Sequence, residues 1–333
     1  MAVNTKRSAL QVLQGLAVAA AALWSVAAVA ADLPSWNDGA AKAAIVDFVT
    51  GVTTEGGADF VPVEQRVAVF DNDGTLWSEQ PIYFQFLFAL DKAKRLAAAD
   101  PAWASTPALK AAASGDMKAI MAGGDKALLE IVGATHSGMT VEAFTAEVAD
   151  WIAQAKHPGS GRLYTDMVFQ PMIELLDYLR ANDFDVYIVS GGGIDFMRAF
   201  AEQAYGVPPD HVIGSMGKAE FKLVDGAPQV MKDPNIAFID DKEGKPIGIA
   251  RHIGKRPIFV GGNSDGDLAM AQWTMAGAGP RFALFVHHTD AEREFAYDRK
   301  SHVGTFDKAL DEAAAKGWTV VDMAHDWKKV WPD

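Results

Sequence analysis

The sequence contains no cysteine among its 333 residues. A disulfide framework, a thiol nucleophile and a cysteine-ligated zinc or iron–sulfur centre are therefore excluded. Basic residues are also few, since 30 Lys and Arg stand against 43 Asp and Glu for a net charge of −13. This balance argues against a nucleic-acid partner, because binding to phosphate backbones needs a basic surface. The length fits two domains, or one domain with a large insertion.

One long uncharged stretch lies near the amino terminus, from Leu10 to Ala31, shortly after Lys6-Arg7. A positive start, an apolar middle and small residues at the end are the three parts of a secretory signal peptide. We therefore predict a signal peptide over residues 1–31 and a periplasmic or secreted protein. A retained membrane anchor is the alternative, since about 20 apolar residues span a bilayer. No later segment is long and apolar enough, so no stable membrane span is expected after cleavage.

Short apolar runs alternate with helical patterns along the rest of the chain. This alternation predicts an α/β fold with a Rossmann-like parallel sheet that helices cover on both faces. The runs predicted as strands are Val67–Phe70, Val186–Val189, Pro257–Val260 and Phe282–Val286, with a β-hairpin between His211 and Phe238.

A long helical region separates the first two predicted strands. It extends from about Pro81 to Lys156 and is too long for a simple crossover, so we expect an inserted all-helical cap domain. The predicted organisation is a discontinuous α/β core at 32–78 and 165–333, with the helical cap at 79–164.

Polar residues follow three of the predicted strands. The three clusters are Asp71-Asn72-Asp73-Gly74-Thr75, Ser190-Gly191-Gly192-Gly193 and Asn263-Ser264-Asp265-Gly266-Asp267. In open parallel sheets, ligands bind beyond the carboxyl ends of the strands. A single pair of acids after a strand is weak evidence, since turns and helix caps use Asp freely. Three such clusters together predict a functional site at this edge of the sheet.

These clusters, together with a lysine between the second and third, resemble the four motifs of the haloacid dehalogenase-like hydrolase superfamily. The motifs are carried by the run Asp71 to Thr75, by Ser190, by Lys245 and by the pair Asn263 and Asp267. The resemblance covers residues 64–290 and is closest to the phosphatase branch, whose phosphoserine phosphatases have a helical cap after the first motif. It implies a haloacid dehalogenase-like core and the hydrolysis of phosphate esters.

The resemblance implies catalytic roles for three residues. Asp71 would attack phosphorus and form an aspartyl-phosphate, which splits one displacement into two. Asp73 would protonate the leaving oxygen and later deprotonate the attacking water. This second acid separates the phosphatases from the dehalogenases of the superfamily. Lys245 would neutralise the charge of the nucleophile and the phosphate, with Lys242 as a competing candidate.

The same resemblance implies a set of groups that bind the transferring phosphoryl oxygens. They are Thr75, Ser190 and the backbone amides of Gly191 and Gly192. Glycine lets the backbone approach an anion closely, and the helix that follows would direct its positive end at it. An ordinary glycine-rich turn between a strand and a helix is the alternative.

A divalent cation is expected, because a bare carboxylate is repelled by an anionic phosphate. Oxygen ligands favour Mg²⁺, and the implied ligands are Asp71, the backbone carbonyl of Asp73, Asn263 and Asp267. Asn263 stands where the family usually has a metal-binding Asp and brings one less negative charge, so Asp265 is a further candidate ligand. Asp267 would act through water or by orienting Lys245.

Aromatic and acidic residues directly after the first motif predict the pocket for the leaving group. Glu79 and Tyr83, with Trp77, would form a partly aromatic site for an amine or quaternary ammonium group. Glu79 falls one residue short of the acid with which phosphoserine phosphatases hold the substrate amine. The alternative is that the aromatic residues pack the cap against the core, as we expect in either case for Phe84 and Phe88.

The sequence thus predicts an exported, Mg²⁺-dependent phosphomonoesterase acting on a small phosphate ester through an aspartyl-phosphate. One alternative is a phospho-ligand-binding protein with a weakened site, which the Asn at 263 supports. Another is a haloacid dehalogenase, which would need neither the metal nor a second acid at position 73. The oligomeric state and the physiological substrate stay open.

Overall fold

In the computed structural model, which describes residues 33–333, seven strands form one sheet in the order β4-β3-β2-β1-β5-β6-β7. Neighbouring strands run parallel, except for the antiparallel β3–β4 pair at one edge. The strands are β1 Val67–Phe70, β2 Asp185–Gly193, β3 Val212–Val224, β4 Ala227–Phe238, β5 Phe259–Gly262, β6 Phe282–His287 and β7 Thr319–Asp322. The predicted α/β class with a parallel sheet is confirmed.

The same part of the chain forms thirteen α-helices. They are α1 Ala40–Thr53, α2 Phe84–Ala99, α3 Pro107–Ser114, α4 Met117–Ala122, α5 Gly124–Thr135, α6 Val141–Ile152, α7 Gln170–Ala181, α8 Ile194–Arg198, α9 Ala201–Tyr205, α10 Gly244–His252, α11 Leu268–Met275, α12 Lys308–Lys316 and α13 Met323–Asp326. Among these described residues, no helix is both long enough and apolar enough to cross a bilayer. The predicted signal peptide at 1–31 lies outside the described residues.

The central strand β1 is buried along its whole length, because both faces of the sheet are covered. Successive side chains of a strand point to opposite faces. Val67 and Val69 accordingly pack into one apolar cluster, whereas Ala68 and Phe70 pack into another on the opposite face. A continuous apolar run is the pattern that such a two-sided strand requires, which is why β1 is recognisable in the sequence.

Helices α2 to α6 lie between β1 and β2, inside the segment predicted as a cap. Polar residues cap three of them, since side chains of Thr106, Asp116 and Thr140 accept backbone N–H groups at the starts of α3, α4 and α6. Such capping satisfies amides that have no partner within the helix. The boundaries of the cap as a domain, 79–164, stay a prediction.

Helix α2 is shared between two apolar cores. Phe84 and Phe88 are buried in the cluster that covers the sheet, as expected for this pair. Phe86 and Leu90 are buried in a separate cluster formed by the helices of the insert. Residues two apart on a helix point in widely different directions, so α2 joins the insert to the sheet through opposite parts of its surface.

Two predicted elements differ from the structure. Strand β2 continues through the glycines to Gly193, beyond the predicted end at Val189. The sequence also predicts one helix from the glycine cluster through Arg198 and Phe200, and the structure divides this helix into α8 and α9. The ring of Phe200 stacks on Trp77 with centroids 4.7 Å apart, and this packing accompanies the break. The predicted hairpin is confirmed as β3 and β4.

Candidate active site

The site lies at the carboxyl ends of β1, β2 and β5, which are neighbours in the sheet. Phe70, the last residue of β1, is in register with Ile188 of β2 and Gly261 of β5. The backbone N–H of Asp71 donates to Gly261 O at 3.0 Å, which extends the ladder by one residue. The parallel register therefore brings all three predicted polar clusters to one edge.

A tight turn follows Asp71 and positions Asp73. The N–H groups of Thr75 and Leu76 donate to Asn72 O, at 3.2 and 2.8 Å. Gly74 has a φ of 75°, a left-handed conformation that favours glycine. The Nε1–H of Trp77 donates to Asp73 Oδ1 at 2.9 Å, so an indole four residues further along the chain orients the second acid.

Lys245 lies between two carboxylates. Its Nζ is 2.7 Å from Asp71 Oδ1 and 2.5 Å from Asp267 Oδ1, and the residue is only 1% exposed. It belongs to the first turn of α10, whereas the sequence places it just before that helix. The competing candidate Lys242 has a side chain that is 66% exposed and contacts Asp241. The structure thus brings Lys245, and not Lys242, to the predicted nucleophile.

Burial and charge act in opposite directions on these groups. Burial raises the pKa of Asp71 well above its usual value, the nearby Asp267 adds to this rise, and Lys245 opposes it. Burial also raises the pKa of Asp73, against the hydrogen bond from Trp77. For Lys245, burial disfavours the ammonium, but Asp267 and Asp71 outweigh it and raise its pKa.

The glycine cluster at the end of β2 faces Asp73. The Oγ of Ser190 accepts the N–H of Gly192 at 3.1 Å. A Cβ at Gly192 would lie 3.3 Å from Ser190 Oγ and 3.7 Å from Asp73 Oδ2. Because glycine has no Cβ, space stays open between the hydroxyl and the second acid. The pairing of β2 with β3 shifts register between Ser190 and Gly193, which separates this loop from the regular ladder.

The turn after β5 is braced by Asp267. Its Oδ2 accepts the backbone N–H of Asn263 at 2.9 Å and of Ser264 at 3.1 Å, while Oδ1 is bound to Lys245. These contacts match the predicted alternative in which Asp267 orients Lys245. Asp265 differs, because its Oδ1 accepts backbone N–H groups of Asp307 and Ala309 at the start of α12. Its predicted contribution as a metal ligand has no support in these contacts.

The side chain of Asn263 is buried between the first motif and Glu79. Its Oδ1 accepts the hydroxyl of Thr75 at 3.1 Å, and its Nδ2 donates to Glu79 Oε1 at 2.8 Å. The hydroxyl of Thr75, predicted to bind substrate, is therefore used inside the protein, and Thr75 itself is fully buried. Thr75 supports Asn263 in this arrangement.

Glu79 is buried whereas Tyr83 is exposed, and the pocket for a substrate amine at these two residues stays a prediction. Glu79 is 1% exposed and accepts the hydroxyl of Tyr297 at 2.8 Å in addition to the amide of Asn263. Burial raises its pKa well above the usual value, although the Tyr297 hydrogen bond opposes this rise. Tyr83 precedes α2 and is 41% exposed. The carboxyl group thus faces inward to Asn263, because both of its partners lie on that side.

Three further residues contact the site, and sequence reasoning did not assign them. Gln85 of α2 accepts the N–H of Gly193 at 2.7 Å and lies 3.2 Å from His136 Nε2. The Nε2 of His288 is bound to Gly74 O at 2.8 Å, and its Nδ1 to Glu294. The third residue, Tyr297, donates its hydroxyl to Glu79 Oε1. Except for the pair His288 and Glu294, which are six positions apart, these contacts join segments that are far apart in sequence, and no local pattern indicates them.

Comparisons with known proteins agree with this fold. The model of the family described as haloacid dehalogenase-like hydrolase matches residues 68–272. A conserved, functionally unknown protein from Anaerococcus prevotii DSM 20548 is 16% identical with a TM-score of 0.55, over 84% of this chain and 91% of that one. At such low identity the likeness shows the fold alone. A search of curated proteins found no match.

Two other solved structures have lower TM-scores. A protein of unknown function from Bordetella pertussis Tohama I is 18% identical with a TM-score of 0.49, over 78% of this chain and 99% of that one. A probable phosphoserine phosphatase from Vibrio cholerae is 14% identical with a TM-score of 0.38, over 79% of this chain and 62% of that one.

Proposed function

Because the chain belongs to the haloacid dehalogenase-like hydrolases, we propose that it is an exported, Mg²⁺-dependent phosphomonoesterase that forms an aspartyl-phosphate on Asp71. The observation that carries the proposal is the 2.7 Å contact between Lys245 Nζ and Asp71 Oδ1 at the sheet edge. A second acid, Asp73, follows Asp71 two positions later. A lysine ammonium beside a carboxylate favours its ionised form, which nucleophilic attack requires, and Lys245 in this way opposes the effect of burial on the pKa of Asp71.

The reaction has two displacements. A carboxylate oxygen of Asp71 attacks phosphorus, the ester P–O bond breaks, and the leaving oxygen takes the proton of Asp73. Water then attacks the same phosphorus and gives a proton to Asp73, while the bond between phosphorus and Asp71 breaks and releases inorganic phosphate. Burial raises the pKa of Asp73, which suits a residue that must carry a proton in the first step.

The phosphoryl oxygens would bind in the space that the missing side chain of Gly192 leaves between Ser190 Oγ and Asp73. Backbone N–H groups of a glycine loop approach an anion without steric hindrance. The charge of Lys245 would offset the negative charge that builds up on these oxygens in the transition state.

The residues present fit a Mg²⁺ ion. Asp71, Asp73, Glu79 and Asp267 are acids gathered at one edge of the sheet, and within residues 33–333 Lys245 is the buried cation that contacts two of them. The carboxylate of Asp71, the backbone oxygen of Asp73 and the amide oxygen of Asn263 would hold the ion as hard oxygen ligands. A bound Mg²⁺ supplies positive charge to the phosphate and the nucleophile.

The substrate would be a small phosphomonoester. The site is closed in this structure, with Asp71 7% exposed and Ser190, Lys245 and Asn263 each 1% exposed. The contact of Gln85 with Gly193 joins the insert to the phosphate loop, so a substrate enters when the insert moves away. Excess negative charge disfavours a nucleic acid as partner. The predicted signal peptide supports export and no stable membrane span.

The test is turnover of a generic aryl phosphate with Mg²⁺ and with EDTA. We expect Asp71→Asn to lose activity by about 1,000-fold or more, while its melting temperature stays close to that of the wild type. The control is Asp265→Asn, which changes an acid of the third cluster that caps α12. Its activity should stay within about twofold.

The same assay separates the alternatives. Full activity of Asp71→Asn overturns covalent catalysis by this residue. Binding of inorganic phosphate without turnover by the wild type favours the phospho-ligand-binding protein. Release of halide from a haloacid in EDTA favours the dehalogenase, against which the second acid at Asp73 argues.

A further inference from the structure

The side-chain amide of Asn263 is held at both of its ends. Glu79 Oε1 accepts from Nδ2 at 2.8 Å, and the Thr75 hydroxyl donates to Oδ1 at 3.1 Å. Reversing the amide would turn Oδ1 toward a carboxylate oxygen, where two acceptors face each other, whereas the Thr75 hydroxyl can donate or accept. Glu79 is therefore the partner that fixes the direction of the amide. The Oδ1 atom keeps a second lone pair for another ligand.

Glu79 is itself fixed in place. The hydroxyl of Tyr297 donates to the same Oε1 at 2.8 Å. Gly74 and Gly304 lie against it with φ of 75° and 67°, and a Cβ at either would come within 2.4 and 1.9 Å of Oε1. A larger residue at either position would displace the carboxyl group. Two glycines and a tyrosine thus hold one acceptor against the amide.

The same contact explains why residue 263 is Asn. An Asp at this position would place a second carboxylate within hydrogen-bonding distance of Glu79, and two carboxylates this close repel each other. Asn instead offers an N–H group that Glu79 accepts. With Asn at position 263, the pair of residues 79 and 263 contains one carboxyl group and one neutral oxygen ligand.

We propose that Glu79 and Asn263 form one unit of the metal site, in which Glu79 accepts the Asn263 amide and so keeps the Asn263 carbonyl oxygen turned toward the cation. This inference rests on the proposed function, since it needs a cation beside Asp71. It makes Glu79 a positioning residue and removes it from the pocket for the leaving group. Groups that orient a metal ligand in this way typically change metal affinity by about 10- to 100-fold.

The experiment is a calorimetric titration of the metal-stripped full chain with Mg²⁺, in the absence of substrate. Four chains are compared: wild type, Glu79→Gln, Asn263→Asp and the double variant. We expect each single variant to bind Mg²⁺ at least about tenfold more weakly. Gln at 79 no longer enforces one amide direction, and Asp at 263 faces a second carboxylate.

The double variant shows whether the two substitutions act through the hydrogen bond between residues 79 and 263 or independently of each other. With Gln at 79 and Asp at 263, the amide donates to the carboxylate, so the hydrogen bond is restored with its polarity reversed. We expect Mg²⁺ affinity within about threefold of the wild type, far above the product of the two single losses. Tyr297→Phe, which removes the other donor to Glu79, should weaken Mg²⁺ binding by a smaller factor. Asp265→Asn, in the same turn, should leave the affinity unchanged.

Several outcomes overturn the inference. They are an unchanged Mg²⁺ affinity in Glu79→Gln, a tighter affinity in Asn263→Asp alone, or a double variant no better than the weaker single one. Circular dichroism checks that each chain folds, and if Asn263→Asp does not fold, Glu79→Gln and Tyr297→Phe decide. A wild type that binds no Mg²⁺ and hydrolyses no ester overturns the proposed function as well. A wild type that does both, with Glu79→Gln binding Mg²⁺ equally well, overturns this inference alone.

Discussion

Two buried polar clusters of opposite charge lie on either side of Gln85. The acidic cluster at the sheet edge consists of Asp71, Asp73, Glu79 and Asp267. The basic cluster, where the insert meets the sheet, consists of Lys92, His136 and Lys232. Burial raises the pKa of Asp71, Asp73 and Glu79, whereas burial together with Lys232 and Lys92 lowers the pKa of His136 to about 3. Both clusters are thus costly to bury.

The clusters differ in how their charge is balanced. In the basic cluster, Lys92 pairs with Glu147 at 2.5 Å, Lys232 pairs with Asp195, and His136 is neutral. These charges are matched by residues of the chain itself. The acidic cluster has more carboxyl groups than Lys245 can match, which leaves it ready for an added cation. The unbalanced cluster is the one at which the proposed cation would bind, whereas the balanced cluster lies where the insert meets the sheet.

Removing Lys245 breaks the acidic cluster and has the largest expected effect. Lys245→Met leaves Asp71 and Asp267 buried without their partner, which costs about 3–5 kcal/mol of unfolding free energy. We expect kcat to fall by about 100- to 1,000-fold. Urea unfolding and steady-state kinetics measure the two effects. Lys242→Met is the matched control, since that side chain is 66% exposed, and it should change neither quantity. Equal losses of kcat and of unfolding free energy in Lys245→Met and Lys242→Met would contradict a specific role for the buried lysine.

The basic cluster should make the folded protein less stable as the pH falls. His136 stays neutral in the folded protein down to about pH 3, whereas the unfolded chain takes up a proton below its ordinary pKa of 6.5. The unfolded state therefore gains about 1.4 kcal/mol for each pH unit below 6.5, and stability falls with pH over that window.

His136→Gln removes the contribution of this imidazole to the pH dependence of the unfolding free energy. The unfolding free energy of the wild type relative to the variant should be constant above pH 7 and fall by about 1.4 kcal/mol per unit between pH 6 and pH 4. Chemical unfolding at several pH values measures the difference. A difference that does not change with pH would show that His136 is protonated in the folded protein.

Gln85 contacts Gly193 at the sheet edge and His136 of the basic cluster, and its removal has the smallest expected effect. Gln85→Ala removes the acceptor of the Gly193 N–H, a loss of about 1 kcal/mol. We expect kcat/KM to fall about fivefold, with the melting temperature within a few degrees of the wild type. Steady-state kinetics with an aryl phosphate provides the measurement. A loss of activity as large as that of Lys245→Met would show that Gln85 takes a direct part in catalysis.

Much of the fold follows from local patterns in the sequence. The apolar run Val67–Phe70 corresponds to β1, and the run Phe282–Val286 corresponds to β6. A two-sided buried strand needs a continuous apolar run, and strand ends at a switch point collect polar groups. The encounter of Asp71 with Lys245 is implied by the family resemblance, and no local pattern separates Lys245 from Lys242.

The surroundings of the acidic cluster do not follow from local patterns. Glu79 meets Asn263 across 184 positions of sequence, and Tyr297 reaches it from the segment after β6. Such contacts depend on how loops fold over the sheet, and a loop carries no period that fixes its path. The contacts of Glu79 with Asn263 and Tyr297 are not predicted for this reason, since the direction of a side chain in a loop is set by distant partners.

The division of α2 between two apolar clusters has a consequence for evolution and engineering. A helix whose opposite sides fill separate cores ties their unfolding into one cooperative transition, because neither core is complete without it. The insert is therefore not a detachable module. Exchange of this cap for that of a relative would carry along Phe84 and Phe88, and the recipient sheet would have to accommodate both rings.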